Sequence, residues 1–294
     1  MTPKLIQKSS DLVTTHRAVC DGFLGQALSK TQKAIPYIED ALVFWAELKK
    51  VSDVTKLLEV AAFRDRLLAA AGFSDKAINH LSEEELTEAL EKVFQTTFHK
   101  AGANFREEIF YRYLLTKGDA LGGQMRNFTG AAAQLKLASA LLKELDGSAD
   151  LEVKRSPATE KIQRISWRGR RLLFDVKPKL IGKSVDVILL AGREGVSEIT
   201  LLEEPASYLA CGELKGGIDP AGADEHWKTA NSALNRIRKV LKRACPPLFF
   251  IGAAIEPQMA KEIFGELQKE NLAHAANLTV DAQVHDLASW LVSL

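Results

Sequence analysis

The sequence predicts an α/β protein in which a largely helical N-terminal half precedes a β-sheet core flanked by helices. Two changes of texture support this. Up to about residue 145, apolar residues recur at helical spacing. Beyond Asp146-Gly147-Ser148, short β-like runs appear, bracketed by further helices, as a sheet covered on both faces requires. The expected division is a mainly helical region over residues 1–150 and an α/β domain over 151–294.

Taken in order, helical patterns cover roughly 38–49 and 54–70. Ser82 with Glu85 forms a capping box that opens LTEALEKVFQTTF. Asn104 is placed to cap the next helix, whose first turn carries Glu107 and Glu108, where the helix dipole favours anions. The stretch KGDALGGQMRNFTG (117–130) reads as a turn-rich interruption, after which Thr129 caps an alanine- and leucine-rich helix to about Leu145. Strands are expected in KIQRISW, RRLLFDV, SVDVILLAG, SEITLLEE and ASYLACGELK. A basic helix follows at about 225–243, then PLFFIGAAI as a buried strand, then helices near 256–270 and 281–293.

With 46% hydrophobic and 26% charged residues among 294, the chain has the material for a sizeable core and none of the bias of a disordered or fibrous sequence. No apolar run reaches the ~18 residues of a membrane span, and the start lacks a secretory pattern. Three cysteines without a C-x-x-C pair argue against a disulfide framework and a structural zinc site. The expectation is a cytoplasmic protein that does not engage membranes. Net charge is only +1, yet residues 151–183 hold ten basic side chains against three acidic ones. His226 to Arg243 adds a second basic stretch with no acid. Such clustering is the footprint of a nucleic-acid-binding surface, or of a solvated face that touches nothing.

Several familiar motifs fail. Gly182-Lys183-Ser184 lacks the glycine that a phosphate loop needs five positions earlier, where Lys177 stands. There is no G-x-G-x-x-G after a strand, no H-E-x-x-H and no G-x-S-x-G.

An acid, one residue, then lysine on a strand is the minimal equipment for metal-dependent phosphodiester cleavage. Hard carboxylate oxygens hold the cation, and an ammonium stands near the reacting phosphate. Of four such tripeptides, Glu47-Leu-Lys49 lies in a helical pattern, Glu152-Val-Lys154 at a domain junction, and Asp175-Val-Lys177 just before Pro178. Glu213-Leu-Lys215 alone has an acid on a good upstream strand, Asp186, and a loop with a basic helix downstream. Strand alternation places Glu213 and Lys215 on one face, about 7 Å apart.

The segment GELKGGIDPAGADEHWKTA (212–230) resembles the active-site segment of AvaI/BsoBI-type type II restriction endonucleases, of the PD-(D/E)xK nuclease superfamily. The likeness extends more loosely to Asp186 and to GDALGGQMRN (118–127). It implies a restriction-endonuclease-like mixed β-sheet core, with Asp186 and Glu213 as metal-binding carboxylates and Lys215 as the catalytic lysine. His226 falls at the family's proposed general base, and Asp219 at an aspartate facing base edges. The proline of the superfamily's name is absent, since Ser184-Val185 precedes Asp186, and Asp175 stays as the rival first carboxylate.

The residue chemistry agrees. A Mg²⁺ ion held by Asp186, Glu213 and the Leu214 carbonyl would lower the pKa of water and neutralise charge on the phosphate. Histidine suits proton transfer near neutrality, although His226 also fits as a packing or capping residue. Asp219 is either a cytosine-N4 acceptor or a turn residue before Pro220. Lys228, Arg236, Arg238 and Lys239 are candidates for DNA phosphates. Arg126 and Asn127 suit guanine and adenine, or cap the helix expected at Thr129.

The expected function is Mg²⁺-dependent double-strand cleavage of DNA at a short palindrome, with CYCGRG the first guess by resemblance. One catalytic set per chain and a two-fold target imply a homodimer, the helical half supplying dimer contacts and a DNA clamp. The resemblance further implies a companion DNA methyltransferase. The alternatives are a structure-selective or non-specific nuclease of repair or defence, and an inactive DNA-binding protein on the same scaffold.

Overall fold

The computed structural model describes residues 3–57, 61–157 and 159–294. The chain forms two compact units. One joins the segment up to Leu24 with Asn127–Leu294; the other is Gly25–Arg126. The change from helices to strands falls between Glu144 and Glu152. The compact units divide elsewhere in the chain.

The Gly25–Arg126 unit is helical. It contains most of α1 (His16–Leu48), α2 (Arg64–Ala70), α3 (Asp75–Ile78), α4 (Glu83–Val93) and the first part of α5 (Phe105–Glu144). The capping box at Ser82 forms as the sequence predicts, with Ser82 Oγ accepting from Glu85 N at 3.2 Å and Glu85 Oε2 from Ser82 N at 2.8 Å. The helix expected over 54–70 is instead a short 3-10 turn at Val54–Leu57, another at Ala61–Phe63, and α2; residues 58–60 lie outside the described residues. Phe44, Phe98, Ile109 and Tyr113 centre its core.

The other unit is built on a seven-stranded sheet in sequence order: β1 (Glu152–Arg155), β2 (Ile162–Trp167), β3 (Arg170–Val176), β4 (Val185–Ala191), β5 (Tyr208–Lys215), β6 (Leu248–Gly252) and β7 (His274–Asn277). β1 to β5 pair antiparallel and β5 to β7 parallel, so the sheet is mixed, as expected. One face packs on α7 (Ala223–Leu241) and α8 (Pro257–Gln268), the other on the end of α5 and on α9 (Asp281–Ser293). Arg168 and Gly169 both take positive φ, as the two-residue turn of the β2–β3 hairpin requires.

Two further expectations are corrected. The 117–130 stretch does not interrupt the helices: α5 runs through it without a break, and Thr129 sits inside the helix rather than at its cap. Glycines cost a helix about 1 kcal/mol each, but no proline stops this one. Its two ends are fixed by separate cores, around Ile109 and around Leu137. SEITLLEE is not a strand but α6 (Glu198–Glu203), capped by Ser197 Oγ accepting from Thr200 N at 3.1 Å. It buries the adjacent pair Leu201 and Leu202 and exposes Ile199, which no strand alternation allows. The N-terminal segment belongs to the sheet unit. Thr14 Oγ1 donates to Ala253 O at 2.7 Å and accepts from Ile255 N at 2.9 Å, while Asn277 Nδ2 donates to Leu12 O at 2.8 Å.

Gly212 in β5 has no room for a side chain, since a Cβ there would lie 2.3 Å from the Phe249 ring of β6. Gly212→Val is therefore expected to destabilise the fold by about 1–3 kcal/mol or more through overpacking. Denaturant unfolding measures it, and an unchanged midpoint would contradict the close packing of β5 on β6.

Candidate active site

The β4–β5 register brings the site together. Val187 pairs with Gly212, so the next step along the ladder sets Asp186 beside Glu213. Glu213 and Lys215 share a strand face, and the Lys215 ammonium lies 2.8 Å from both Asp186 Oδ2 and Glu213 Oε2. Asp186 Oδ2 also accepts from Leu214 N at 2.8 Å. A residue's N–H and C=O point to the same side of a strand, so the Leu214 carbonyl faces Asp186 as well. Lys215 points its own carbonyl the other way, where Ala253 N donates to it at 2.9 Å.

Glu213 is the buried member, only 3% exposed. Its Oε1 has no hydrogen-bond partner, an arrangement that costs free energy unless something completes it. Burial, then the nearby Asp186 charge, push its carboxyl up to about 7, against the pull of Lys215. Lys215 is itself desolvated, but Glu213 and Asp186 together hold its ammonium above the ordinary lysine value. Two carboxylates, a carbonyl on their side and an orphaned carboxylate oxygen make a hard-oxygen set that fits a divalent cation.

Asp175, the rival first carboxylate, makes its hydrogen bond elsewhere. It stands directly opposite Asp186 in the β3–β4 ladder, between the pairs Phe174–Val187 and Val176–Val185. Its φ of 55° breaks the strand alternation, and its carboxylate accepts from Gln134 Nε2 of α5 at 2.6 Å. The Lys215 and Leu214 donors go to Asp186.

The loop after β5 is shaped by close approaches. A Cβ at Gly216 would lie 2.5 Å from the Thr129 carbonyl oxygen of α5, and one at Gly217 would lie 2.6 Å from His226 Cε1. His226, in the first turn of α7, thus lays its half-buried imidazole against the loop two residues beyond Lys215. Asp219 is exposed, and its Oδ1 accepts from Ala221 N at 3.0 Å, the geometry of a turn.

The basic residues of α7 divide by surroundings. Arg238 is engaged within the fold, with its guanidinium donating to Asn235 Oδ1 and to Asn271 O. Lys228 pairs with Asp224 one turn earlier. Lys239 is exposed and Arg236 half-buried. Arg126 and Asn127 lie inside α5, so neither caps a helix start. No motif in the sequence marks Gln134, the Thr129 carbonyl or the Ala253 amide as neighbours of β3 and β5, because each arrives from a distant segment.

The mixed sheet with helices on both faces is of the restriction-endonuclease-like α/β class. Residues 3–294 match the family of restriction endonuclease BsobI. The type II restriction enzyme AvaI of Nostoc sp. is 39% identical over 316 aligned residues, covering 98% of each chain, and that of Anabaena variabilis gives the same values. The type II restriction enzyme BsoBI of Geobacillus stearothermophilus is 38% identical over 314 residues, covering 98% of this chain and 97% of its own. The chain belongs to the BsobI restriction endonuclease family.

Because the Glu213 carboxyl is held above its ordinary 4.5, the folded protein binds this proton more tightly than the unfolded chain does. The associated stability is complete below pH about 4.5 and is lost as pH climbs through about 7. In metal-free buffer, Glu213→Gln is expected to lack that loss, so its unfolding midpoint gains on the parent's as pH is raised. Parallel pH profiles for the two proteins would contradict the buried, strained carboxylate.

Proposed function

We propose that this restriction endonuclease hydrolyses both strands of double-stranded DNA at a short palindromic site, using Mg²⁺ held by Asp186, Glu213 and the Leu214 carbonyl. The observation that carries the reading is the Lys215 ammonium, 2.8 Å from both carboxylates, in a chain that aligns with type II restriction enzymes over 98% of its length. When bound, such a cation supplies Lewis-acid stabilisation of the phosphate and a lowered pKa for water.

The chain's own residues do the rest. In the metal-free arrangement Lys215 offsets part of the charge of the two acids; when DNA is bound, its ammonium faces the charge that builds on the scissile phosphate. His226, laid against the Gly216-Gly217 turn, takes the proton of the attacking water. The same turn, without side chains, lets the DNA backbone approach closely. Asp219 accepts from a cytosine amino group, which adds sequence information at the expense of affinity. Its present hydrogen bond to Ala221 N leaves the second carboxylate oxygen to do so. Lys228, Lys239 and Arg236 offer charge to phosphates, while Arg238 serves chiefly to hold α7 to the turn before β7. Arg126 and Asn127 read bases from α5.

CYCGRG is the first recognition sequence to test. Two copies of the chain cut the two strands, in the cytoplasm, beside a methyltransferase that protects the host's own sites. Residues 1–150 contribute dimer contacts and the DNA clamp, and 151–294 the chemistry. Among the described residues, no helix is long and apolar enough to cross a membrane.

Incubation with plasmid DNA and Mg²⁺ is expected to give discrete fragments whose ends define the site. Lys215→Ala should lower cutting by roughly 10²–10³-fold or more while salt-sensitive DNA binding survives. A smear would favour a structure-selective or non-specific nuclease, and wild-type cutting by Lys215→Ala would reject the site.

A further inference from the structure

A third carboxylate stands next to the site in the sheet, and the backbone turns it to the other side. The pairs Phe174–Val187 and Val176–Val185 set Asp175 directly opposite Asp186. Along β3, Leu172 and Phe174 pack with α5 and α9, whereas Leu173 packs with α7 and α8. Regular alternation would therefore put Asp175 on the side of Leu173. Cys211 packs on that side too, and Glu213, two residues further along β5, shares it. Opposed residues of an antiparallel pair hold their Cβ atoms about 4.5–5.5 Å apart. An Asp175 in ordinary strand conformation would thus add its charge to the two acids that already share Lys215.

The φ of 55° at Asp175 prevents this. It is a left-handed conformation, costly for a residue with a side chain. Alternation is interrupted there, because Val176 packs on the side of Leu173 instead of joining Phe174. The Asp175 carboxylate is left on the α5 side, where Gln134 Nε2 donates to it at 2.6 Å.

Gln134 is itself an unusual residue for its place. It is only 9% exposed, on a stretch of α5 that otherwise packs through Ala133, Leu137, Ala138 and Leu141. A leucine would fill such a position without a polar group to satisfy, whereas a buried amide needs a partner. One turn earlier Thr129 abuts Gly216, and so does Ala133 beside Gln134. The same stretch of α5 therefore touches the turn after β5 and fixes the odd residue of β3.

We propose that Gln134 is a positioning residue for DNA cleavage, its amide holding the Asp175 carboxylate out of the cluster of Asp186, Glu213 and Lys215. This rests on the proposed cation site at Asp186 and Glu213. With both acids ionised, that cluster carries one net negative charge, which a divalent cation converts to one positive charge facing the phosphate. A third carboxylate would cancel that remaining charge. Without the Gln134 amide, the strained backbone of Asp175 is free to relax to strand geometry and deliver it.

The consequences run in opposite directions. A released carboxylate attracts the cation and repels the DNA phosphate, whereas a merely loosened fold would weaken both. The test compares wild type, Gln134→Leu, Asp175→Asn and the double variant, all matched for thermal midpoint. In EDTA, Gln134→Leu is expected to bind a duplex spanning a mapped cut site at least about fivefold more weakly. Mg²⁺ titrated calorimetrically into the DNA-free protein should bind Gln134→Leu more tightly than wild type. Cutting at saturating Mg²⁺ should fall at least about tenfold. Adding Asp175→Asn to Gln134→Leu should restore DNA affinity and most of the cutting, since no charge is left to release. If Gln134→Leu fails to fold, Gln134→Glu keeps the shape without a donor at neutral pH, and Asp175→Asn then rescues it by reversing the hydrogen bond.

A double variant no better than its Gln134 parent would overturn the proposal, as would weaker binding of both Mg²⁺ and DNA by that parent. Wild-type affinities and rate in Gln134→Leu would overturn it as well. Loss of Mg²⁺ binding and of cutting in Asp175→Asn alone would make Asp175 a cation ligand. That result would overturn the cation site together with the proposal, whereas the others leave the site standing.

Discussion

The Lys215 ammonium between Glu213 and Asp186 is the interaction around which the sheet unit is organised. Two carboxylates this close repel each other, and Glu213 is almost wholly out of water, so without a cation between them the arrangement would not hold two charges. Lysine supplies that cation in the free protein. Its reach depends on register: Asp186 must arrive on β4 one step beyond the Val187–Gly212 pair, and Glu213 and Lys215 must lie two residues apart on β5. A slip of one residue would send both β5 side chains to the opposite face. Gly212, packed against Phe249, and Gly216, packed against Thr129, are features that hold that register and the turn after it.

The part of this arrangement set by short-range periodicity was legible from the sequence. Glu213-Leu-Lys215 and the apolar run around Asp186 announce two strands with chemistry on them, and the alternation places acid and lysine together. Which of Asp186 and Asp175 lies beside Lys215 was not legible. The deciding features are one positive φ and a hydrogen bond from Gln134, forty-one residues away in sequence. α5 was misread because glycine-rich composition resembles a turn, whereas two separate cores pin the helix at either end. α6 was misread because an eight-residue run is too short for its period to show, and a serine cap settles the matter locally. β1 and β7 are four residues each and become strands only by pairing with neighbours.

α1 carries two apolar stripes, one buried and one exposed. Three-to-four residue spacing serves its own core on one side, while a second stripe of the same spacing runs along the other, and a reading for amphipathicity sees only their sum. That is why the 38–49 pattern was visible and the full helix from His16 was not.

The stitch made by Thr14 has a consequence in time. Its partners, Ala253, Ile255 and Asn277, follow it by 239, 241 and 263 residues. During synthesis the segment that secures the far ends of β6 and β7 emerges long before its partners and waits for them. Closing so long a loop costs entropy that no local contact repays, so these two strands are held only once Asn277 has been made. A chain ended before Ala253 lacks this clasp altogether, and the sheet unit of a DNA-cutting enzyme stays unsecured until Asn277 has been made.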